Sequence, residues 1–209
     1  MSLDIRIHTL HAGHQLLMRD LQLHIAPGQI TTLMGSSGSG KSTLLSVICG
    51  TAAPEVRFEG DIQLNGHSIL PLPCVQRRVG MLFQDDLLFA HMTVRQNLLF
   101  AVPAGERAQR EATAQGALEH LGFSDMAERN PATLSGGQRA RVSLMRTLLA
   151  QPQALLLDEP FSKLDASLRA QYRQWVFAHV RERGLPTLLV THDSGDIADP
   201  ASLIKLAPC

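Results

Sequence analysis

The chain has 209 residues, 44% of them hydrophobic, and its 19 basic and 19 acidic side chains leave a formal net charge of zero. That length carries one sizeable core, and the balanced charge offers no electrostatic excess towards nucleic acid or an anionic membrane surface. Cys49, Cys74 and Cys209 are scattered without metal-ligand spacing, which favours reduced thiols in a cytosolic compartment over a disulfide framework, and the chain shows neither a secretion signal nor a run of roughly 18 apolar residues.

In chain order, the first clear element is the apolar run ITTLMG (30–35). It leads into GSSGSGKST (35–43) and then into KSTLLSVICG, a helical pattern stopped by Gly50, in which Cys49 reads as core. RFEGDIQLNGHSI (57–69) alternates briefly around Asn65-Gly66 and predicts a small antiparallel hairpin. VGMLFQ (79–84) is a second apolar run. From 85 to 152 the texture turns helical and polar, with ERAQREATAQGALEHL and QRARVSLMRTLLAQ as helices and no convincing strand. ALLLDE (154–159) is followed by a helix opened by Asp165 and stopped by Gly184, and then by TLLVTH (187–192). In that helix Leu168, Tyr172, Trp175, Val176 and Val180 follow helical spacing, so Trp175 is read as core.

Runs apolar on both faces suit the buried strands of a parallel sheet. The fold class is α/β: a mainly parallel core sheet from 1–84 and 153–209, a small antiparallel part, and an inserted helical lobe over 85–152.

GSSGSGKST has the spacing of a phosphate-cradling loop, Gly35 then Gly40, Lys41 and Ser42. Backbone amides can surround phosphate oxygens only where the chain curls without side chains in the way, which Gly35, Gly38 and Gly40 allow around Ser36, Ser37 and Ser39. Lys41 then serves the β and γ phosphates, Ser42 ligates Mg²⁺, and Thr43 completes the first helical amides facing the anion. A dinucleotide-binding turn is the other reading of so many glycines, but they do not fall as G-x-G-x-x-G and Lys-Ser follows. A nucleoside triphosphatase also needs an acid for the metal and a base for water. Asp158 and Glu159 end the strand run and are assigned those roles. Gln84 and His192 likewise end apolar runs, at the sheet edge where ligands of open parallel sheets bind.

LSGGQ (134–138) reads as a capping box, Ser135 with Gln138. Gly136 and Gly137 also make it a second anion site, which suits a twin subunit closing over the first one's nucleotide.

These elements, in this order, resemble the ATP-binding cassette of ABC transporters, with Walker A at GSSGSGKST, the Q-loop at Gln84, the signature LSGGQ, Walker B at ALLLDE, the D-loop SKLD ending in Asp165, and the switch histidine His192. The resemblance covers nearly the whole chain. It implies a P-loop NTPase that binds ATP and Mg²⁺. In it Gln84 joins Ser42 and Asp158 around the metal and senses a membrane partner. Ser135, Gly136, Gly137 and Gln138 meet the γ-phosphate held by a second copy, Asp165 links the two sites, and His192 positions phosphate and water beside Glu159. FQDDLLFAHMTVRQNLLF (83–100) is similar to the part of bacterial import ATPases that meets a permease helix, with Phe83, Leu87, Leu88, Phe89 and Met92 as apolar contacts and Asp85 and Asp86 as solvated acids.

The resemblance therefore implies an ATPase on the inner face of the cell membrane, working as a homodimer with a separate permease and a solute-binding protein in an importer, and no nucleic-acid partner. Its alternatives are a soluble ABC-type ATPase acting on nucleic acid or ribosomes, and the ATPase of an exporter or lipid-releasing complex. For the nucleic-acid alternative, Arg139, Arg141 and Arg146 form a basic run, read instead as a solvated or interdomain face.

Two features depart from the family pattern. Around LHAGHQ the chain has His11 and Ala12 where an aromatic ring would stack on adenine, so His11 is the candidate to stack there. His8, His11 and His14 recur in steps of three, but without a nearby carboxylate or cysteine they are not read as a metal site. Only 17 residues follow His192, so the regulatory domain of some sugar-import ATPases is expected to be absent.

Overall fold

A computed structural model describes residues 1–206, and of Ser167 its backbone alone; Cys209 lies outside the described residues. The chain divides into two compact units. The first takes Met1–Met81, Gln153–Glu159 and the chain from Trp175 onward; the second takes Leu82–Pro152 and Pro160–Gln174. The lobe expected over 85–152 lies within the second unit, which also holds 82–84 and 160–174.

In chain order the elements are β1 (Leu3–Ala12), β2 (Gln15–Ile25), β3 (Ile30–Met34), α1 (Lys41–Cys49), β4 (Val56–Leu64), β5 (His67–Ser68) and β6 (Val79–Leu82). There follow α2 (Val94–Ala101), α3 (Arg107–Leu121), α4 (Gly136–Leu149), β7 (Ala154–Asp158), α5 (Ala166–Glu182), β8 (Thr187–Thr191) and β9 (Leu203–Lys205).

The first unit carries two sheets. One has the order β6-β7-β8-β3-β9, with β3 parallel to both β8 and β9 and β7 parallel to β8. Every residue of β8, and all but the last of β3 and β7, is buried, as strands covered on both faces require. The second sheet is antiparallel, order β2-β1-β4-β5. It is larger than the predicted hairpin, because β1 and β2 add two long strands. Leu3, Ile5 and Ile7 of β1 turn inward, and between Ile7 and Thr9 the pairing with β4 slips by a bulge. Gly60 opposes Ile7 there at φ 151°, where a Cβ would come within 2.0 Å of the Arg6 carbonyl oxygen, so only glycine fits. Leu44, Leu45 and Ile48 of α1 are wholly buried in a core shared with Ile5, Leu10, Ile62, Leu156 and Val190. Both ends of α1 are glycines in the left-handed conformation, Gly40 and Gly50.

In the second unit, α2 starts with a reciprocal Thr93–Gln96 capping box. The guanidinium of Arg110 closes its other end, donating to the carbonyls of Leu99 (3.1 Å) and Val102 (3.3 Å). The Tyr172 hydroxyl, 2% exposed, donates to the Ala140 carbonyl of α4 at 2.8 Å. Among the described residues no strand occurs between 83 and 153, and no helix is long and apolar enough to cross a membrane.

Candidate active site

The loop 35–40 runs from the carboxyl end of β3 into α1. Gly38 (φ 80°) and Gly40 (φ 84°) take the left-handed conformation that lets successive amides turn to one side. α1 has no side-chain cap and no acid in its first turn, so the positive end of its dipole is left for an anion. Lys41 is buried, and its Nζ donates to the carbonyls of Gly35 (2.8 Å) and Ser36 (2.7 Å) and to Ser39 Oγ (3.3 Å). Burial pulls its pKa below the ordinary lysine value, while Glu159 and Asp158 hold it up. A cation kept at the loop by its own carbonyls is placed to meet phosphate charge.

The same edge gathers the acids. Ser42 Oγ donates to Asp158 Oδ1 at 3.1 Å, joining residues 116 apart in sequence. Burial raises the Asp158 pKa, Glu159 adds to the rise, and Ser42 and Lys41 oppose it. Two hard oxygens at this spacing match neighbouring ligands on an octahedral ion with bonds of about 2.0–2.1 Å, so the pair fits Mg²⁺. Glu159 follows at φ 46°, a conformation costing a non-glycine residue of order 1–2 kcal/mol. Its N–H donates to the Val190 carbonyl (2.9 Å), and its Oε1 accepts from His192 Nδ1 (2.9 Å). That bond fixes the imidazole with its proton on Nδ1. Local strain held in this way is a mark of functional positions. Lys41, Ser42, Asp158, Glu159 and His192 are thus brought together from the start of α1 and the carboxyl ends of β7 and β8.

The remaining sequence-predicted residues are placed individually. Thr43 is half-buried in the first turn of α1, its carbonyl accepting from Ser46 Oγ at 2.7 Å. Beside the loop, Gln15, Leu16 and Leu17 of β2 line, with Ser36–Ser39, a hollow of about 140 Å³. His11 sits one strand away, paired with Leu16 across the β1–β2 ladder. Sequence reading passed over Leu16 and Leu17. No local sequence pattern marks them; the fold brings Leu17 to the loop, its Cβ 2.7 Å from where a Gly40 Cβ would stand.

Gln84, Ser135, Gly136, Gly137, Gln138 and Asp165 belong to the second unit. Gln84 is exposed just past β6. Ser135 is the N-cap of α4: its Oγ accepts from Gln138 N (3.3 Å), and Gln138 Oε1 accepts from Ser135 N (2.9 Å). Asp165 caps α5, Oδ1 accepting from Leu168 N at 3.0 Å.

Asp86 corrects the sequence reading, because it is half-buried and paired, whereas Asp85 stays exposed in a surface ion pair. Asp85 pairs with Lys163, and Asp86 accepts from Arg139 Nε at 3.0 Å. Nor do Arg139 and Arg146 form a loose basic face. Arg146 donates to the Leu87 carbonyl (2.9 Å) and lies 5.3 Å from the Phe89 ring centroid, and burial lowers its pKa. Asn97, fully buried, accepts from Phe89 N (2.8 Å) and donates to the carbonyls of Phe89, Met92 and Thr93. These contacts, invisible in local sequence, pin the segment 85–93 to α2 and α4.

A parallel sheet with a glycine-rich loop between β3 and α1, and an acid ending the strand β7, defines a P-loop nucleoside triphosphatase. The family model described as ABC transporter matches residues 18–162. An uncharacterized ABC transporter ATP-binding protein of Escherichia coli, YnjD, is 48% identical over 192 residues, 91% of this chain and 88% of its own length. The sulfate/thiosulfate import ATP-binding proteins CysA of Ralstonia nicotianae and Escherichia coli are each 38% identical, over 99% and 98% of this chain. The chain spans a little over half the length of those two, 56% and 57%. It belongs to the ABC transporter family, as an ATP-binding cassette whose ATP hydrolysis is coupled to transport.

Proposed function

We propose that this ATPase holds ATP on the loop 35–43, with Mg²⁺ on Ser42 and Asp158 and with Gln84 joining the metal shell, and hydrolyses it with Glu159 as general base. Glu159 takes a proton from water as the water oxygen attacks the γ-phosphorus and the bond to the β-phosphate oxygen breaks, leaving ADP and phosphate. His192, bonded to Glu159 through Nδ1, orients that carboxylate and the water. Lys41 supplies positive charge to the β and γ phosphates. Mg²⁺, when bound, neutralises charge on the phosphate oxygens. The observation that carries this reading is the Glu159–His192 bond on neighbouring strands, beside the Ser42–Asp158 pair.

The site is completed, on this proposal, by a second copy whose Ser135, Gly136, Gly137 and Gln138 close over the γ-phosphate and whose Asp165 links the two centres. The pair drives a separate transmembrane permease on the inner face of the cell membrane, importing a small solute, with a solute-binding protein in the same system. Import is supported by the names of the CysA relatives. Permease docking near 83–100 is supported by exposed apolar residues there, Phe83 at 42%, Leu87 at 54% and Phe100 at 61%. Leu88, Phe89 and Met92 are half-buried beside them.

The experiment is Glu159→Gln. It should lower kcat by roughly 10²- to 10⁴-fold with ATP affinity retained. The tagged variant, extracted from membranes in Mg-ATP, should carry a multi-span permease with it. Unchanged hydrolysis would remove Glu159 as the base, and soluble nucleic-acid or ribosomal companions alone would remove the transport assignment.

A further inference from the structure

Away from the phosphate edge, α1 ends at Cys49, and Cys74 opens a single 3-10 turn, Cys74–Gln76. Eight residues of helix, about 12 Å, separate Cys49 from Lys41. The two sulfurs lie 3.9 Å apart, in contact, although 25 positions separate the residues in the chain. What holds them together is Arg77, only 8% exposed. Its Nη1 donates to the carbonyls of Val47 (2.7 Å) and Ile48 (3.0 Å) at the end of α1, its Nε to Leu72 (2.8 Å), and its Nη2 to Leu70 (3.0 Å). One guanidinium therefore clamps the helix end to the segment that bears Cys74. It does so where a cation also complements the negative end of the α1 dipole. Gly50 leaves it room, since a Cβ there would stand 2.7 Å from Arg77 Nε.

We propose that Cys49 and Cys74 are a thiol switch, converted to an intrachain disulfide by small-molecule disulfides of the oxidised-glutathione type. Cys74 is the more exposed residue of the two and makes the first attack: its thiolate bonds to one sulfur of the small disulfide and expels the other half as a thiol. Cys49 then gives up its proton and attacks Cys74 Sγ, expelling the second small thiol. Two cysteine thiols are oxidised and one disulfide is reduced to two thiols. Burial, then the neighbouring Cys74, pushes the Cys49 thiol up to about 11, which assigns it the second, resolving step. The sulfurs must close from 3.9 Å to about 2.0 Å to form the bond.

The test uses the full chain exposed to oxidised glutathione, followed by intact mass, alkylation of remaining thiols under denaturing conditions, and peptide mapping. The expected product has lost about 2 Da, joins the Cys49 and Cys74 peptides, melts at a higher temperature and reverts with dithiothreitol. Cys49→Ala, a swap of one small apolar side chain for another, should keep the native melting transition and accumulate glutathione on Cys74. Cys74→Ser should take up neither modification at Cys49. Wild-type chain that carries glutathione on Cys74 while Cys49 remains alkylatable would overturn the proposal. So would a link to Cys209 instead, or an unchanged thiol count.

Discussion

The glycines at the head of α1 and those at the head of α4 stand in opposite relations to their own fold. In the first loop the fold demands them. Gly40 sits at φ 84° with Leu17 pressed against its missing side chain, and a Cβ on Gly35 would come within 2.7 Å of Ser39 Oγ. In the second, Gly136 and Gly137 keep ordinary helical backbone. Among the described residues, a Cβ there would meet Arg139 Nη2 at 3.8 Å and Leu168 at 3.5 Å, both ordinary contacts. Gly is the poorer helix former by about 0.5–1 kcal/mol relative to Ala, so α4 gives up stability at two positions where a methyl group would make no clash with its own packing. The first loop is built for a ligand by its own backbone. The second is bare where its own fold does not require it, which supports the proposal that the γ-phosphate of a second copy approaches there.

Substitution can break or sharpen the contrast. The largest effect on the fold belongs to Gly40→Ala, which combines left-handed backbone with a collision against Leu17 and should cost about 2 kcal/mol or more. The melting temperature should fall by several degrees; an unchanged melt would mean the cradle is not constrained as described. Gly136→Ala should leave the melt unchanged or slightly raised and yet lower ATP hydrolysis by roughly tenfold, because a methyl group would stand where the phosphate approaches. Loss of stability with normal hydrolysis would reverse the comparison.

Asp158→Asn gives the smallest shift. The folded chain raises the Asp158 pKa, chiefly by burial, so the native state binds this proton more tightly than the unfolded chain does. The fold therefore prefers the neutral form, and stability is lost as pH rises through the folded pKa. In metal-free buffer at neutral pH, Asp158→Asn should melt slightly higher than the parent. The gain should shrink as acid protonates the parent's Asp158. A variant that melts lower at neutral pH would show that the Ser42 bond outweighs burial.

How much of this was legible in the sequence differs by element. The runs at 30–35, 154–159 and 187–192 announced β3, β7 and β8 because strands covered on both faces carry mostly apolar residues, and the run at 79–84 announced β6, which is half-buried over Val79–Met81. Gly50 marked the end of α1 because a glycine takes the left-handed conformation that closes a helix. β1 and β2 escaped notice although Leu3, Ile5 and Ile7 alternate with Asp4, Arg6 and His8, because bulges at Ile7/Thr9 and Leu10/His11 shift the period. β9 is three residues long and is supported by pairing with β3, which no local pattern encodes.

At the site, Ser42, Asp158, Glu159 and His192 could be gathered in advance because each ends or follows a strand of one sheet, and the carboxyl edge brings such positions together. The partners of Asp85, Asp86 and Asn97 could not. Asp86 meets Arg139 and Asp85 meets Lys163 across 53 and 78 positions of chain, through packing of a lobe that has no sheet register to predict it.

On the proposed reading, two copies of this chain share ATP between the cradle of one and the α4 N-terminus of the other. Light scattering of Glu159→Gln in saturating Mg-ATP addresses it most directly, since slowed hydrolysis should hold the closed pair together. The account predicts a mass twice that of the 22.8 kDa chain with ATP and one chain's mass without it. A variant that binds ATP and stays monomeric would contradict it.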